Sequence, residues 1–126
     1  MPAARAAHTL KVTDTGHLHY LHSSGSLLLE EGSATGTVPG NLKVRFNVGA
    51  TVTAKFTLYP RNGGSISGHA EGKLHSSGRY ASFGGTMSVK AGSGRYSHAH
   101  GHGGFYGVID RETYALTVQT TGTFSY

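Results

Sequence analysis

Two carboxylates and a set of histidines are the residues of this chain best suited to chemistry. Glu30 follows Leu27-Leu28-Leu29 and, in an extended chain, shares a face with Leu28, Gly32, Ala34 and Gly36, while Glu31 takes the opposite face. A carboxyl group on an apolar face loses its hydration, its pKa rises, and it can accept or donate a proton near neutrality. Asp14, on the face of Leu10 and Val12, is the second catalytic candidate and is expected near Glu30. The alternative puts Glu30 at a rim, where a bulge ends the Leu run and shifts the register.

Histidine is the sharper local signal. Of the nine present, His98, His100 and His102 stand at i, i+2 and i+4, with Tyr96 and Tyr106 beside them. On a strand, His-x-His puts two imidazoles ~7 Å apart on one face, within reach of one Zn²⁺ or Cu²⁺. His17 and His19 form a second such pair, and His69 and His75 share a polar face with Glu71 and Lys73. The small residues Ala99, Gly101 and Gly103 occupy the opposite face of the 98–102 segment, which points its histidines outward. A solvated or subunit-interface face, responsive to pH near 6 to 7, is therefore preferred over a preformed metal site.

These groups can act only if strands hold them, and the periodicity supplies strands. Leu42 to Val48 reads L-K-V-R-F-N-V, placing Leu42, Val44, Phe46 and Val48 on one face. After a turn at Gly49-Ala50, Val52, Ala54, Phe56 and Leu58 alternate with Thr51, Thr53, Lys55 and Thr57. Turn residues Pro60 to Gly64 follow, and Ile66, Gly68, Ala70, Gly72 and Leu74 resume the pattern. The same alternation runs through Ala81, Phe83, Gly85, Met87 and Val89, then Gly101, Gly103, Phe105, Gly107 and Ile109, then Leu116, Val118, Gly122 and Phe124. No segment sustains a 3.6-residue period, and the connections are short. The expectation is an all-β, antiparallel up-and-down barrel of about eight strands with little or no helix. Inward Gly-Ala-Gly series such as Gly68, Ala70 and Gly72 suit tight coiling and favour the barrel over a sandwich.

The chain also repeats itself. Leu21-His22-Ser23-Ser24-Gly25 returns as Leu74-His75-Ser76-Ser77-Gly78, and the alignment carries Gly32 onto Gly85. Ser77-Gly78-Arg79-Tyr80 and Ser93-Gly94-Arg95-Tyr96 form a shorter echo, read as two hairpin turns.

Composition removes other classes. With no cysteine there is no disulfide, thiolate nucleophile or Cys-ligated metal. Charged residues make up only 13% of the chain against 37% hydrophobic, which excludes a solvated disordered tail. The net charge of +5 is spread singly along the sequence, which argues against nucleic acid as a partner. No apolar run approaches the ~20 residues of a spanning helix. A nucleophile elbow is absent, and neither Gly92-Ser93-Gly94 nor Gly101 to Gly104 opens a helix as a phosphate loop does. Residues 1–7, with Ala4-Arg5-Ala6 matching the small-x-small pattern before a signal-peptidase cut, are read as a disordered leader left by an export signal. Residues 8–126 are read as one barrel domain, secreted or exported.

The stretch Phe83 to Gly101, F-G-G-T-M-S-V-K-A-G-S-G-R-Y-S-H-A-H-G, resembles the hairpin of the allene oxide cyclase and dirigent barrel superfamily. There a strand enters a turn of Gly, Ser or Thr, Gly, a basic residue and Phe or Tyr, and the next strand begins with small residues. The similarity covers residues 83–126. It implies an eight-stranded barrel with an apolar ligand in its lumen, dimeric or trimeric assembly and export, and in some members cyclisation without a cofactor. Glu30 answers to the cyclases' lumen carboxylate, whereas the cyclase asparagine and proline and the dirigent aspartate pair have no alignable counterpart. The expected function is that of a cofactor-free barrel binding a small apolar or aromatic molecule among Phe46, Phe56, Phe83, Met87, Phe105 and Phe124, or serving a structural role. The alternatives are a cyclase or isomerase using Glu30, and a His-rich metal-binding or lectin-like surface protein.

Overall fold

Alternating apolar and polar residues leave each strand one face to bury, and this chain buries all of them by rolling its strands into a cylinder. The structure, a computed structural model, describes residues 9–48, 51–76 and 78–126. The leader and the Gly49-Ala50 turn lie outside the described residues. Eight strands follow in order: β1 (Thr9–Ser24), β2 (Leu27–Gly36), β3 (Gly40–Val48), β4 (Thr51–Pro60), β5 (Ser65–Leu74), β6 (Tyr80–Ser93), β7 (His100–Asp110) and β8 (Leu116–Ser125). Each pairs antiparallel with its neighbour in sequence, and β8 pairs back with β1 to close the barrel. Closure leaves no unpaired sheet edge to recruit another chain. Among the described residues the helical content is one 3-10 turn, Gly94–Tyr96.

The register fixes the width. The ladder that starts at Tyr20 passes through Glu30, Val44, Phe56, Gly68, Val89, Gly101 and Phe124 and returns to β1 at Leu10. From position 20 to position 10 is a shear of ten residues. Eight strands with that stagger tilt by about 40° and enclose a backbone cylinder roughly 16 Å across, wide enough for interior side chains and one small molecule.

Close approach of backbones makes the tight coil possible. Gly72 faces Gly85 across β5 and β6, and Gly103 faces Gly122 across β7 and β8. A Cβ on any of the four would overlap a carbonyl oxygen of the neighbouring strand. The sequence repeat has the same meaning. Gly25 (φ 62°) and Gly78 (φ 117°) occupy the β1–β2 and β5–β6 connections, at one end of the barrel, and their aligned successors Gly32 and Gly85 are both inward positions where the partner backbone leaves no room for a Cβ. The shorter echo diverges. Gly94 (φ 62°) does not lead into a simple hairpin but into the 3-10 turn, which rolls Tyr96 into the barrel end, where it is 4% exposed.

The core comes in two parts. At one end Leu18, Phe46, Val52, Ala81, Phe83, Ile109 and Leu116 pack together. At the other, Ala34, Val38, Leu58, Ile66, Val89, Tyr96, Ala99 and Phe124 form a second cluster. A small domain ordinarily has one contiguous core; here a space separates the two.

Candidate functional site

That space is a cavity of about 140 Å³ inside the barrel. Strand alternation aims Val44, Ala54, Phe56, Ala70, Met87, Phe105 and Val118 into it, with Phe46 and Phe83 towards one end and Val38 and Phe124 towards the other. All six residues expected from the sequence to shape a lumen, Phe46, Phe56, Phe83, Met87, Phe105 and Phe124, line it. Phe83 and Phe105 meet with centroids 6.1 Å apart and planes at 59°, a tilted pair that holds both rings in place.

One carboxylate reaches this apolar lining. Asp14 is 8% exposed, and its Oδ1 accepts the Val38 backbone N–H at 2.9 Å. Burial pushes its pKa upward, against the backbone amides of Val38 and Thr37, which favour the anion. The bond ties the β2–β3 connection across the end of the barrel. Asp14→Ala leaves the Val38 amide without that acceptor and is expected to cost about 1–3 kcal/mol in a urea titration. Asp14→Asn, whose amide carbonyl can still accept, should recover most of the loss.

Glu30 is inward, as its alternation requires, and is the more extreme case. It is 1% exposed, and neither carboxylate oxygen has a hydrogen-bond partner. Loss of hydration drives its pKa up to about 7. It lies opposite Tyr20 on β1 and Val44 on β3, and it is not among the residues lining the cavity. A bulge does shift the register where the Leu run ends: the extra residue is on β1, between Tyr20 and His22, opposite Glu30 and Leu29, and Glu30 stays inward. Asp14 pairs with Gly36, six positions along β2 from Glu30. At about 3.3 Å per residue the two carboxylates are ~20 Å apart and do not form the pair expected from the sequence.

No family model, curated protein or solved structure matches the chain.

The histidine face changes in one respect. β7 begins at His100, so His98 stands in the turn after the 3-10 helix and does not continue the face of His100 and His102. His100 Nδ1 donates to the His98 carbonyl oxygen at 3.2 Å. Among the described residues no three His, Asp or Glu side chains are grouped to hold a metal ion. His17 and His19 point outward, with His19 Nε2 3.8 Å from Glu31.

Tyr96 was expected beside the histidines. The 3-10 turn carries it into the barrel instead, where its hydroxyl donates to Asn62 Oδ1 at 3.0 Å and its ring packs against Phe124 and Tyr126. At the opposite end Tyr20 and Tyr114 meet with centroids 5.1 Å apart and planes tilted at 41°. Aromatic pairs thus flank the lumen at both ends. No helix of the described residues is long and apolar enough to cross a membrane.

Proposed function

We propose that the barrel binds a small apolar molecule in its lumen, on the scale of one six-membered ring with a short substituent. The observation that carries this is the cavity itself, about 140 Å³ and walled almost wholly by aliphatic and aromatic side chains. An apolar protein cavity of roughly 150 Å³ stays dry and takes up benzene, because water cannot replace its lost hydrogen bonds there. Typical drug-sized sites begin at about 300 Å³, so drug-sized molecules are too big for the lumen. Asp14 gives the site one polar contact, which suits a hydroxyl or amino substituent on the ring. The resemblance to lumen-binding barrels supports the same reading.

A cyclase or isomerase would need an acid or base turned towards the ligand. Of the two candidate carboxylates Glu30 lies outside the cavity lining, which leaves Asp14, one oxygen of which already accepts the Val38 amide. Binding, without chemistry, is the function the geometry supports best.

The test is a size series followed by amide and methyl chemical shifts. Toluene and phenol should perturb lumen residues, with Kd on the order of 0.1–1 mM, and 1-anilinonaphthalene should not. Ala70→Leu places three more carbons in the cavity, roughly halving the space, and should abolish the response while the protein stays folded. Equal responses in wild type and Ala70→Leu would count against lumen binding.

A further inference from the structure

The positive charges scattered along the sequence do not stay scattered. The β3–β4 pairing sets Arg45 directly opposite Lys55, and the β4–β5 pairing sets Lys55 directly opposite His69, all on the outer wall. Lys43 stands two residues from Arg45 on the same face. Together with Leu21, Leu29, Glu30, Val44, Thr57 and Tyr59, the three cations line an outer groove of about 280 Å³. Glu30 lies beneath it, turned inward and 1% exposed, so its carboxylate does not face a ligand on the outer wall. Like charges directly across a strand pair repel one another and oppose folding. A cross-strand Arg–Lys pair is therefore an arrangement that an anion would relieve.

The acids nearby do not provide that relief. Glu31 is opposite Lys43, but its carboxylate turns to His19 at 3.8 Å. Glu71 is opposite Thr53 rather than Lys55. Among the described residues Arg45 and Lys55 form no ion pair.

We infer that this groove binds a ligand carrying successive sulfate or phosphate esters, of the kind displayed by a sulfated oligosaccharide. The spacing decides for several anionic groups. Arg45 and Lys55 are about 5 Å apart at Cβ, and Lys43 is ~7 Å further along the strand, a span beyond one tetrahedral oxyanion. The walls decide for carbohydrate over nucleic acid. Single-stranded nucleic acid is held by aromatic faces on which its bases stack. Among the described residues Tyr59 is the one aromatic ring lining the groove, and Lys43 Nζ already lies over it at 6.0 Å. Leu21, lifted outward at the β1 bulge, and Leu29 offer aliphatic surface that suits the C–H face of a sugar ring. The three cations are on the outer face of the barrel, opposite in direction to the side chains of the lumen.

Isothermal titration with a heparin-derived hexasaccharide tests this, with inorganic sulfate and an oligothymidylate of equal charge as comparators. The hexasaccharide should bind at least tenfold more tightly than either, with amide shifts confined to β2, β3 and β4. The double variant Arg45→Gln/Lys55→Gln should weaken binding at least tenfold, and its melting temperature should rise because a repulsion has been removed. Lys73→Gln/Arg111→Gln, with the same loss of charge elsewhere, should stay within twofold of wild type. Lys55→Thr alone, a strand-compatible change, should show an intermediate loss. Equal weakening in the two double variants, tighter binding of the oligothymidylate, or no binding of the hexasaccharide would overturn the inference.

Discussion

Glu30→Gln is expected to stabilise the protein by about 3 kcal/mol at pH 8 and to leave it almost unchanged at pH 4. The carboxyl group is buried with both oxygens unpartnered, and its pKa in the folded barrel is about 7 against an ordinary value of 4.5. Between those two values the unfolded chain gives up a proton that the folded chain retains. The folded state therefore holds more protons, and stability falls as pH rises through this window. At roughly 1.4 kcal/mol for each tenfold, the gap amounts to about 3 kcal/mol, fully expressed above pH 7 and absent below 4.5. That is a large share of the 5–15 kcal/mol by which domains are typically stable, about 0.05–0.15 kcal/mol per residue. Asp14, whose pKa is also raised, acts in the same direction, so the comparison must be the difference between wild type and variant. Urea titrations from pH 4 to pH 8 provide it. A stability difference that does not change with pH would show that Glu30 is not held as described.

Gly32→Ala should act in the opposite direction, with a loss of about 3 kcal/mol or more, or no folded protein. Gly32 pairs with Leu18 on β1 and Leu42 on β3. A Cβ there would overlap the His17 carbonyl oxygen and sit 2.7 Å from the Leu18 Cα, both backbone atoms that cannot step aside as a side chain can. Accommodating the methyl means prising β1 from β2 where the barrel coils. The control is Gly104→Ala, where the nearest atom to an added Cβ is the Gly85 carbonyl oxygen at 3.5 Å. There the gain in backbone stiffness should leave stability unchanged or raise it by about 0.5–1 kcal/mol. Denaturant midpoints of the two variants distinguish a glycine required by close approach from one that is merely tolerated.

Much of this fold was legible because each strand buries one face. A slip of one residue would turn Val44, Phe46, Val52, Phe56 and their successors outward, so alternation alone fixes which side chains enter the lumen. The inward position of Glu30 follows from the same rule, and so do the six apolar side chains around the cavity. What alternation does not contain is register between strands. The ~20 Å that separates Asp14 from Glu30 comes from the β1–β2 pairing, and local sequence carries no sign of it. Nor does sequence spacing show that Arg45 meets Lys55, since only the β3–β4 hairpin brings them together. Periodicity also fails where a strand ends. The Gly94–Tyr96 turn breaks the count, so Tyr96 goes inward and His98 leaves the face of His100 and His102. The inward Gly-Ala-Gly series point to tight coiling. The barrel is narrow, but its inward glycines let backbones approach, and an apolar space remains between the two halves of the core.

Lumen binding is tested most directly by a crystal pressurised with xenon, an atom that occupies dry apolar cavities and makes no hydrogen bonds. A strong anomalous peak is expected midway along the barrel, among Phe56, Met87 and Phe105, and it should vanish in Ala70→Leu. Ordered water filling that space, or xenon found only outside the barrel, would contradict the account.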